Sequence, residues 1–390
     1  MGKRVGIEVS LAVAEAVKLC DVDVVSAYPI TPQTHIVEEL SHYVANGDLD
    51  AAFIPVESEH SAMSAAVGSS ATGARTYTAT SAQGLALMHE IMFIAPSMRL
   101  PIVMTIANRS LSGPISIWND HSDIMAERDT GWIQIFCENG QESFDLTICA
   151  FRIAEDKRVL LPVGVNMDGF ILTHMIEPIE FMDKAEVKAF LPDYKPQLTL
   201  NPKKPVSMGP VGVPEVYMEA KKQYEQALWD SKDVVKEVLA AWGKHTGRKY
   251  AMVECNGKKK AKTVFVTMGS LGETAMTAVD NLIAAKQDVG QVRLRLWRPF
   301  PKEEMKKALK DAAKVVVIDR ALSPGGVCGP VATEIKSLFY GDKNAPKIYN
   351  IVAGLGGRDV SVKDFEEMYA LAKGGKIKDD YVIWGVKSNA

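Results

Sequence analysis

Hydrophobic residues near the start of the chain switch from helical spacing to a short β-branched run. The residues at helical spacing are Ala12, Val13, Ala16, Val17 and Cys20, and the run that follows contains Val22, Val24 and Val25. This pattern predicts a helix followed by a strand. The strand is expected to end at residues 28–32, where Thr31 can cap a helix whose first residue is Pro32.

The same alternation continues through the first half of the chain. It predicts strands near 52–55 and 76–80, and helices that begin near 59–61 and around 85. Residues 101–107 are apolar on both faces, which is typical of a central strand in a parallel sheet covered on two sides. The first unit is therefore predicted to be a doubly wound parallel α/β sheet that ends near 180–195.

A Pro-rich segment separates this unit from a second, smaller one. Prolines and glycines punctuate residues 191–214, and a polar helix is predicted from Glu215 to Trp242. A second alternation then predicts strands at 263–267, 292–296, 315–318 and 348–352, with helices from Glu273, from Pro301 and near Pro330.

Composition and charge argue against several classes of protein. A net charge of -3 and the absence of a basic, aromatic-rich stretch disfavour nucleic acid as a partner. Apolar runs are far shorter than a membrane span needs, and charged residues interrupt the N-terminal segment where a signal peptide would be apolar. We therefore expect a cytoplasmic protein without a membrane span.

The cysteines make a metal or iron-sulfur centre on this chain unexpected. The five are scattered, and no two form a Cys-x-x-Cys pair. They are interpreted as buried or free thiols of a reducing compartment. If the protein does redox chemistry, its electron carriers must lie on another chain.

Three loops of the first unit follow predicted strands and carry candidate chemistry. Because ligands bind at the carboxyl ends of parallel strands, Thr31, the pair Glu57 and Glu59, and Arg109 are expected at one edge of the sheet. A helix that starts at Ser58 would separate the two glutamates, so only one needs to be functional. Each residue also has a simpler interpretation: Thr31 as a helix cap, Glu59 as a partner of the helix dipole and Arg109 as a surface residue.

A set of short motifs is distributed over nearly the whole chain. The motifs in the first unit are SAYPITPQT (26–34), ESEHSA (57–62), TATSAQGL (78–85), ANRSLSGP (107–114), IWNDHSD (117–123) and RDTGW (128–132). Those in the second unit are MGS (268–270), RPFP (298–301) and GLGG (354–357). Taken together, these motifs resemble the α chain of pyruvate:ferredoxin oxidoreductases and their 2-oxoacid relatives.

The resemblance implies three domains and a set of roles. It implies a thiamine diphosphate pyrimidine-binding domain at 1–190, a linker and helix at 191–260, and a transketolase C-terminal-like α/β domain at 261–390. In this comparison Glu59 is similar to the catalytic glutamate that hydrogen-bonds the aminopyrimidine ring, and Thr31 and Arg109 resemble the residues that hold the substrate carboxylate. Pro29 and Ile30 are the further cofactor-binding positions, and no residue is assigned to a metal.

One departure from the pattern of thiamine enzymes implies a divided active site. The Gly-Asp-Gly motif with a later pair of asparagines, which binds Mg²⁺ and the diphosphate, is absent from the sequence. The resemblance therefore implies a β subunit that supplies this site, and γ and ferredoxin-like δ subunits that carry the iron-sulfur clusters. The substrates would be a 2-oxoacid and coenzyme A.

The sequence leaves alternatives open for both the substrate and the reaction. Pyruvate is favoured by the segment 112–120, but branched-chain and aryl 2-oxoacid enzymes are similar here, whereas an oxalate enzyme is expected to have a basic residue in place of Thr31. A related transketolase-like or non-oxidative decarboxylase half, and a non-catalytic α/β binding module, also stay open. The glycines at 325–329 and 354–357 do not form the Gly-x-Gly-x-x-Gly pattern, so nicotinamide binding is disfavoured.

Overall fold

A computed structural model describes residues 3–377 and 381–387 of the chain. The first part of the chain forms eight strands and nine helices in the described ranges. They are β1 (Arg4–Glu8), α1 (Val9–Leu19), β2 (Val24–Ala27), α2 (Thr34–Asn46), β3 (Ala52–Pro55), α3 (Glu59–Ala71), β4 (Thr76–Thr80), α4 (Ala82–Met92), α5 (Ile94–Ser97), β5 (Val103–Asn108), α6 (Ser122–Ala126), β6 (Ile133–Phe136), α7 (Gly140–Ala154), β7 (Val163–Asp168), β8 (Ile176–Glu180), α8 (Lys184–Phe190) and α9 (Pro214–Thr246).

The main sheet has seven strands in the order β12-β6-β7-β5-β4-β2-β3, where β12 (Leu296–Arg298) comes from later in the chain. All neighbours pair in parallel except β12, which runs antiparallel to β6. The strand β5 lies at its centre and is buried along its whole length, as its apolar sequence predicts. Strands β1 and β8 pair antiparallel in a separate ribbon, which the hydrophobic pattern did not predict.

Helices cover both faces of this sheet, so the doubly wound parallel fold is confirmed. Residues of α1, α2 and α7 pack in one apolar cluster, and residues of α3, α4 and α6 pack in another. The helix α9 joins the first cluster through its C-terminal half, where Trp242 is fully buried. The Trp242 indole donates to Asp145 of α7 at 3.0 Å, which ties this helix to the first unit.

The second part of the chain forms a smaller α/β unit. Its elements are β9 (Val253–Gly257), β10 (Thr263–Thr267), α10 (Leu271–Ala284), β11 (Val289–Leu294), β12 (Leu296–Arg298), α11 (Lys302–Leu309), β13 (Lys314–Asp319), α12 (Pro330–Leu338), β14 (Lys347–Val352), a 3₁₀ turn at Leu355–Gly357, α13 (Val362–Lys373) and β15 (Val382–Ile383). Its sheet has the order β15-β14-β13-β10-β11-β9, and only β9 runs antiparallel to its neighbour among the described strands.

The two units are joined by a short strand and by a shared core. The sequence predicts one strand at 292–296, but β11 ends at Leu294 and β12 leaves to pair with β6 of the first sheet. The break between the two strands falls at Arg295, which is 3% exposed and forms ion pairs with Glu142 of α7 and Glu254 of β9. One apolar cluster runs from β5 and α4 into β10, β11 and α12. We propose the three segments 1–190, 191–260 and 261–390 as the domains, with α9 lying against the first unit and β9 in the second sheet.

The predicted start of the second helix is wrong. The helix α2 begins at Thr34 with Gln33 as its N-cap residue, and no side chain caps it, so Thr31 is not a cap. Residues 30–33 instead form a turn, in which the Gln33 backbone amide donates to the Ile30 carbonyl at 2.8 Å. The Gln33 amide side chain is buried and donates to the Ala79 carbonyl at 2.7 Å, which fixes this turn against β4.

Candidate active site

The predicted site residues lie at one edge of the main sheet. The strands β5, β4, β2 and β3 are parallel neighbours, so their carboxyl ends meet there. The loop after β2 carries Thr31, the loop after β3 leads into Glu59, and the loop after β5 begins with Arg109. The topology therefore brings together three residues that are far apart in the sequence.

Glu59 is the first residue of α3, and its carboxylate is turned inward. Ser58 caps the helix by accepting a hydrogen bond from the Ser61 amide at 3.3 Å. The two glutamates face apart although the backbone at Ser58 is extended and α3 begins only at Glu59: Glu57 is exposed and accepts from the Ser61 hydroxyl, whereas Glu59 is 6% exposed. Burial raises the pKa of the Glu59 carboxyl group.

The Glu59 carboxylate has no partner from another residue in the described part of the chain. It faces Gly84 of α4, where a methyl group built on the glycine would lie 2.5 Å from Glu59 Oε1 and 2.6 Å from Thr80 Oγ1. Gly84 therefore leaves the space in which the carboxylate sits. The Thr80 hydroxyl is also buried without a hydrogen-bond partner in the described ranges. A buried acceptor without a donor is costly unless a ligand supplies the missing bond.

Arg109 is buried at the start of the loop after β5 and is held by two backbone carbonyls. Its Nε donates to the Ser116 carbonyl at 2.8 Å, and its Nη1 donates to the Thr31 carbonyl at 2.9 Å. Its Nη2 donates to no other residue in the described ranges. Burial lowers the pKa of Arg109, and the neighbouring Asp123 opposes that shift. A guanidinium group stays charged in proteins because its ordinary pKa is so high.

The structure brings Thr31 to Arg109 through the Thr31 backbone, while the Thr31 side chain stays exposed. Pro29 is exposed and Ile30 is half-buried in the same turn. The edge thus offers a buried acidic group, a fixed cation and an accessible hydroxyl. Such an arrangement can hold one ligand that donates a hydrogen bond and another that carries a carboxylate.

Comparisons with known proteins match this site region to a described family. Residues 15–240 match the thiamine diphosphate-binding domain of pyruvate flavodoxin/ferredoxin oxidoreductases. The chain belongs to this family. Residues 261–365 match core domain II of pyruvate:ferredoxin oxidoreductases, and the family expected from the sequence motifs is thereby confirmed.

Relatives are similar over almost the whole chain. The pyruvate synthase subunit PorA of Methanocaldococcus jannaschii is 50% identical over 376 residues, which cover 96% of this chain and 95% of the relative. The PorA subunit of Thermotoga maritima is 46% identical, with 97% and 96% covered. A ketoisovalerate oxidoreductase subunit VorA of Pyrococcus horikoshii is 41% identical, with 96% and 95% covered.

Solved structures support the fold. A 2-oxoglutarate:ferredoxin oxidoreductase from Magnetococcus marinus, with 2-oxoglutarate, coenzyme A and succinyl-CoA bound, superposes with a TM-score of 0.72 at 18% identity. The match covers 95% of this chain and 65% of that chain, so this chain spans only part of the larger protein. A split-gene transketolase, described as an inactive tetramer, matches with a TM-score of 0.55 at 12% identity over 94% of this chain and 98% of that one.

One further buried carboxylate lies beside Arg109 and was not among the residues predicted for the site. Asp123 accepts hydrogen bonds from the backbone amides of Arg109 at 2.9 Å, Ala82 at 3.1 Å and Ile124 at 2.7 Å, and from the Asn108 side chain at 3.1 Å. Burial raises the pKa of Asp123 to about 7. It connects the Arg109 loop with the start of α4, the helix that faces Glu59. Its motif was visible in the sequence, but its contacts depend on how the loop folds back.

The residues that the structure describes contain neither a metal-binding cluster nor a membrane-spanning helix. Within them, no group of three or more His, Cys, Asp or Glu side chains is arranged to hold a metal ion. None of the helices in the same ranges combines the length and the apolar character that crossing a bilayer requires. Cys255 is exposed, and the other four cysteines are buried.

Proposed function

We propose that this chain is the α subunit of a 2-oxoacid:ferredoxin oxidoreductase and that pyruvate is its substrate. In the reaction, the bond between the carboxyl and keto carbons breaks, CO₂ leaves, coenzyme A takes the acyl group through its thiol, and two electrons pass to iron-sulfur clusters. The observation that carries the proposal is the buried carboxylate of Glu59, which accepts no hydrogen bond from another residue in the described ranges and lies at the same sheet edge as the fixed cation of Arg109.

The residues around Glu59 fit thiamine diphosphate. The carboxylate is buried and lacks a donor from another described residue, and Gly84 keeps the space beside it open. Glu59 would hold the aminopyrimidine ring by a hydrogen bond to a ring nitrogen, and the raised pKa of its carboxyl group would help it share that proton. Pro29 and Ile30 would line the cofactor. When bound, thiamine diphosphate supplies a nucleophilic carbon and accepts the electron pair left by loss of CO₂.

Arg109 and Thr31 would bind the substrate carboxylate. The two carbonyls that hold Arg109 fix the plane of its guanidinium group, so Nη2, which no other described residue accepts from, is held in a fixed direction. A carboxylate is the group that such a fixed cation binds best. The exposed hydroxyl of Thr31 lies in the turn whose backbone contacts Arg109, so it can donate to the same group.

A partner subunit would complete the site. Large apolar side chains are exposed in the loop after β5, where Ile115 and Trp118 are 77% and 51% exposed. Exposed apolar surface of this kind is typical of a protein interface. We propose that a β subunit covers it and supplies the Mg²⁺ and diphosphate site, and that γ and ferredoxin-like δ subunits carry the iron-sulfur clusters. The cytoplasmic location stays a prediction.

A branched-chain 2-oxoacid is the second candidate substrate, because a VorA subunit is 41% identical over nearly the whole chain. The 50% identity to a PorA subunit favours pyruvate. The experiment is to purify the native complex through a tag on this chain and to assay pyruvate, 2-oxoisovalerate and phenylglyoxylate with coenzyme A and a low-potential electron acceptor. The highest kcat/KM for 2-oxoisovalerate or phenylglyoxylate would overturn the proposed substrate. Decarboxylation without coenzyme A or electron transfer would overturn the proposed reaction, and a complex inactive with every substrate would favour a binding module.

A further inference from the structure

The second α/β unit makes direct contacts with the loop that carries Arg109. This loop, residues 109–121, is called the clamp loop below. The backbone amide of Gly357 donates to the Asn119 carbonyl at 2.6 Å, and the amide of Gly356 donates to Asp120 Oδ2 at 3.3 Å. At the end of the loop, the His121 amide donates to the Arg320 carbonyl at 2.8 Å. The clamp loop is thus held by the Gly354–Gly357 segment and by the residue that follows β13.

A buried ionic cluster anchors the same end of the loop. Asp168, at the carboxyl end of β7, contacts His121 Nε2 at 2.7 Å and Arg320 Nη1 at 2.9 Å. It also accepts from the amide of Ser270 at 2.9 Å and from the Ser270 hydroxyl. Burial opposes the charge on Asp168, but Arg320, His121 and the hydrogen bonds outweigh it and lower the pKa of this carboxyl group. The cluster therefore joins a strand of the first sheet to two loops of the second unit.

Hydrogen bonds inside the clamp loop connect these anchors to Arg109. Asp120 Oδ2, which accepts from Gly356, also accepts from the Ser110 hydroxyl at 2.7 Å. The Ser110 amide donates to the Trp118 carbonyl at 3.0 Å, and Arg109 Nε donates to the Ser116 carbonyl. A shift of residues 116–120 would therefore move a carbonyl that holds the Arg109 guanidinium group.

Gly357 of the second unit is packed closely against the clamp loop. Its φ is +74°, and a methyl group built on it would lie 2.6 Å from Trp118 Cβ. That separation is shorter than carbon atoms tolerate, so any side chain at 357 would displace Trp118 or the turn. Gly341, three residues after α12 in the same unit, has the same φ of +74° but no atom within 4 Å of its built methyl group. The two glycines differ in their contact with the clamp loop and not in their backbone strain.

We propose that the second α/β unit is a positioning element for substrate binding: Gly356, Gly357 and Arg320 hold the clamp loop in the conformation that presents Arg109 to the 2-oxoacid carboxylate. This inference rests on the proposed function of Arg109. It gives the Met268–Ser270 and Gly354–Gly357 motifs a role in substrate binding, whereas the family resemblance assigned site residues only to the first unit. These residues act through Arg109 and do not touch the substrate.

The first test uses the 390-residue chain alone and needs no cofactor. Hydrogen–deuterium exchange is measured on peptides that cover the clamp loop in wild type, Gly357→Ala and Gly341→Ala. We expect faster exchange in the clamp loop of Gly357→Ala, with unchanged exchange in the strands of the second sheet, because the added methyl group displaces Trp118. Gly341→Ala should match wild type in the clamp loop. Equal exchange in the clamp loop of all three proteins would overturn the proposal.

The second test measures kinetics in the assembled complex. The carboxylate is present in the bound substrate and is lost as CO₂, so a misplaced Arg109 should weaken ground-state binding. We expect Gly357→Ala to raise KM for the 2-oxoacid about tenfold, with kcat changed less than about twofold and the affinity for thiamine diphosphate unchanged. Ser270→Ala, a milder change that removes one donor from Asp168 and adds no atom, should raise KM about threefold. A purely structural defect would instead lower kcat, cofactor affinity and thermal stability together.

The Arg109→Ala variant distinguishes a failure of the positioning role from a failure of the proposed function of Arg109. If Arg109→Ala raises KM and neither Gly357→Ala nor Ser270→Ala does, the positioning role is wrong and the proposed function of Arg109 stands. If Arg109→Ala leaves KM unchanged, the carboxylate assignment is wrong, and the positioning role fails with it.

Discussion

Replacing Arg109 tests whether the fixed cation at the sheet edge reads the part of the substrate that all 2-oxoacids share. Arg109→Ala removes the charge and both hydrogen bonds to the carbonyls of Ser116 and Thr31. Arg109→Lys keeps the charge but loses the planar guanidinium group. An ammonium group cannot donate to both carbonyls and present a further N–H to the substrate in the same geometry. The pair of variants therefore separates charge from geometry.

The size of the effect follows from the environment of the side chain. Arg109 is 7% exposed, so its contact with a carboxylate is only weakly screened by water. A hydrogen bond between charged partners in such a site contributes about 1.5 to 3 kcal/mol, and about 1.4 kcal/mol corresponds to a tenfold change. We expect Arg109→Ala to lower kcat/KM by at least about tenfold, and Arg109→Lys to lie between it and wild type.

The assay compares kcat/KM for pyruvate, 2-oxoisovalerate and phenylglyoxylate in the assembled complex. Because these substrates share the carboxylate and keto groups, Arg109→Ala should lower kcat/KM by a similar factor for each. A change in their ranking by more than about tenfold, which is about 1.4 kcal/mol of differential binding, would show that Arg109 contacts the substrate side chain. The carboxylate assignment would then be wrong.

Four further predictions address the cofactor, the hydroxyl, the divided site and a buried acid. Glu59→Gln should slow exchange of the thiazolium proton in the complex, followed by NMR, by about a hundredfold or more, because the amide cannot take up a proton; an unchanged rate would remove Glu59 from the mechanism. Thr31→Val should cost about 0.5 to 1.5 kcal/mol in kcat/KM, since it removes one neutral hydroxyl; a larger loss than for Arg109→Ala would reverse the assigned importance of the two residues. The isolated chain should bind thiamine diphosphate weakly in isothermal titration, and tight Mg²⁺-dependent binding would refute the divided site. Burial raises the pKa of Asp123 to about 7, so the protonated carboxyl group contributes to stability at low pH, and this contribution is lost as the pH rises from about 4 to about 7. Over this range the free energy of unfolding in urea should fall less for Asp123→Asn than for wild type, and equal falls would contradict the assignment.

The hydrophobic pattern was sufficient for the strands that lie wholly inside one layered unit. Strands β4 and β10 begin and end where the sequence predicts, at 76–80 and 263–267. Such strands are buried on both faces, so the run of apolar and β-branched residues is itself the cause of the structure. The pattern failed where a side chain far away in the sequence decided the path, as at Arg295, whose ion pairs with Glu142 and Glu254 accompany the break between β11 and β12.

The helix start at Thr31 was wrong for a related reason. A threonine before a proline is a good local cap signal, and local energies of this kind amount to about 1 kcal/mol. The turn is fixed instead by the buried Gln33 side chain, which donates a hydrogen bond to the Ala79 carbonyl of β4. A local preference of that size gives way when a buried polar group must be satisfied elsewhere.

The sequence by itself determined the α/β class, the family and the residues Thr31, Glu59 and Arg109 as candidates, because strand ends and motif residues are local properties of the chain. Only the tertiary structure decided that Glu59 is buried with no partner from another described residue, that Arg109 is held by the Thr31 backbone, and that Asp123 accepts from the Arg109 amide. It also decided that the second unit holds the clamp loop through Gly357. These facts depend on burial and on contacts between distant segments, which exist only after the chain has folded and one part can exclude water from another.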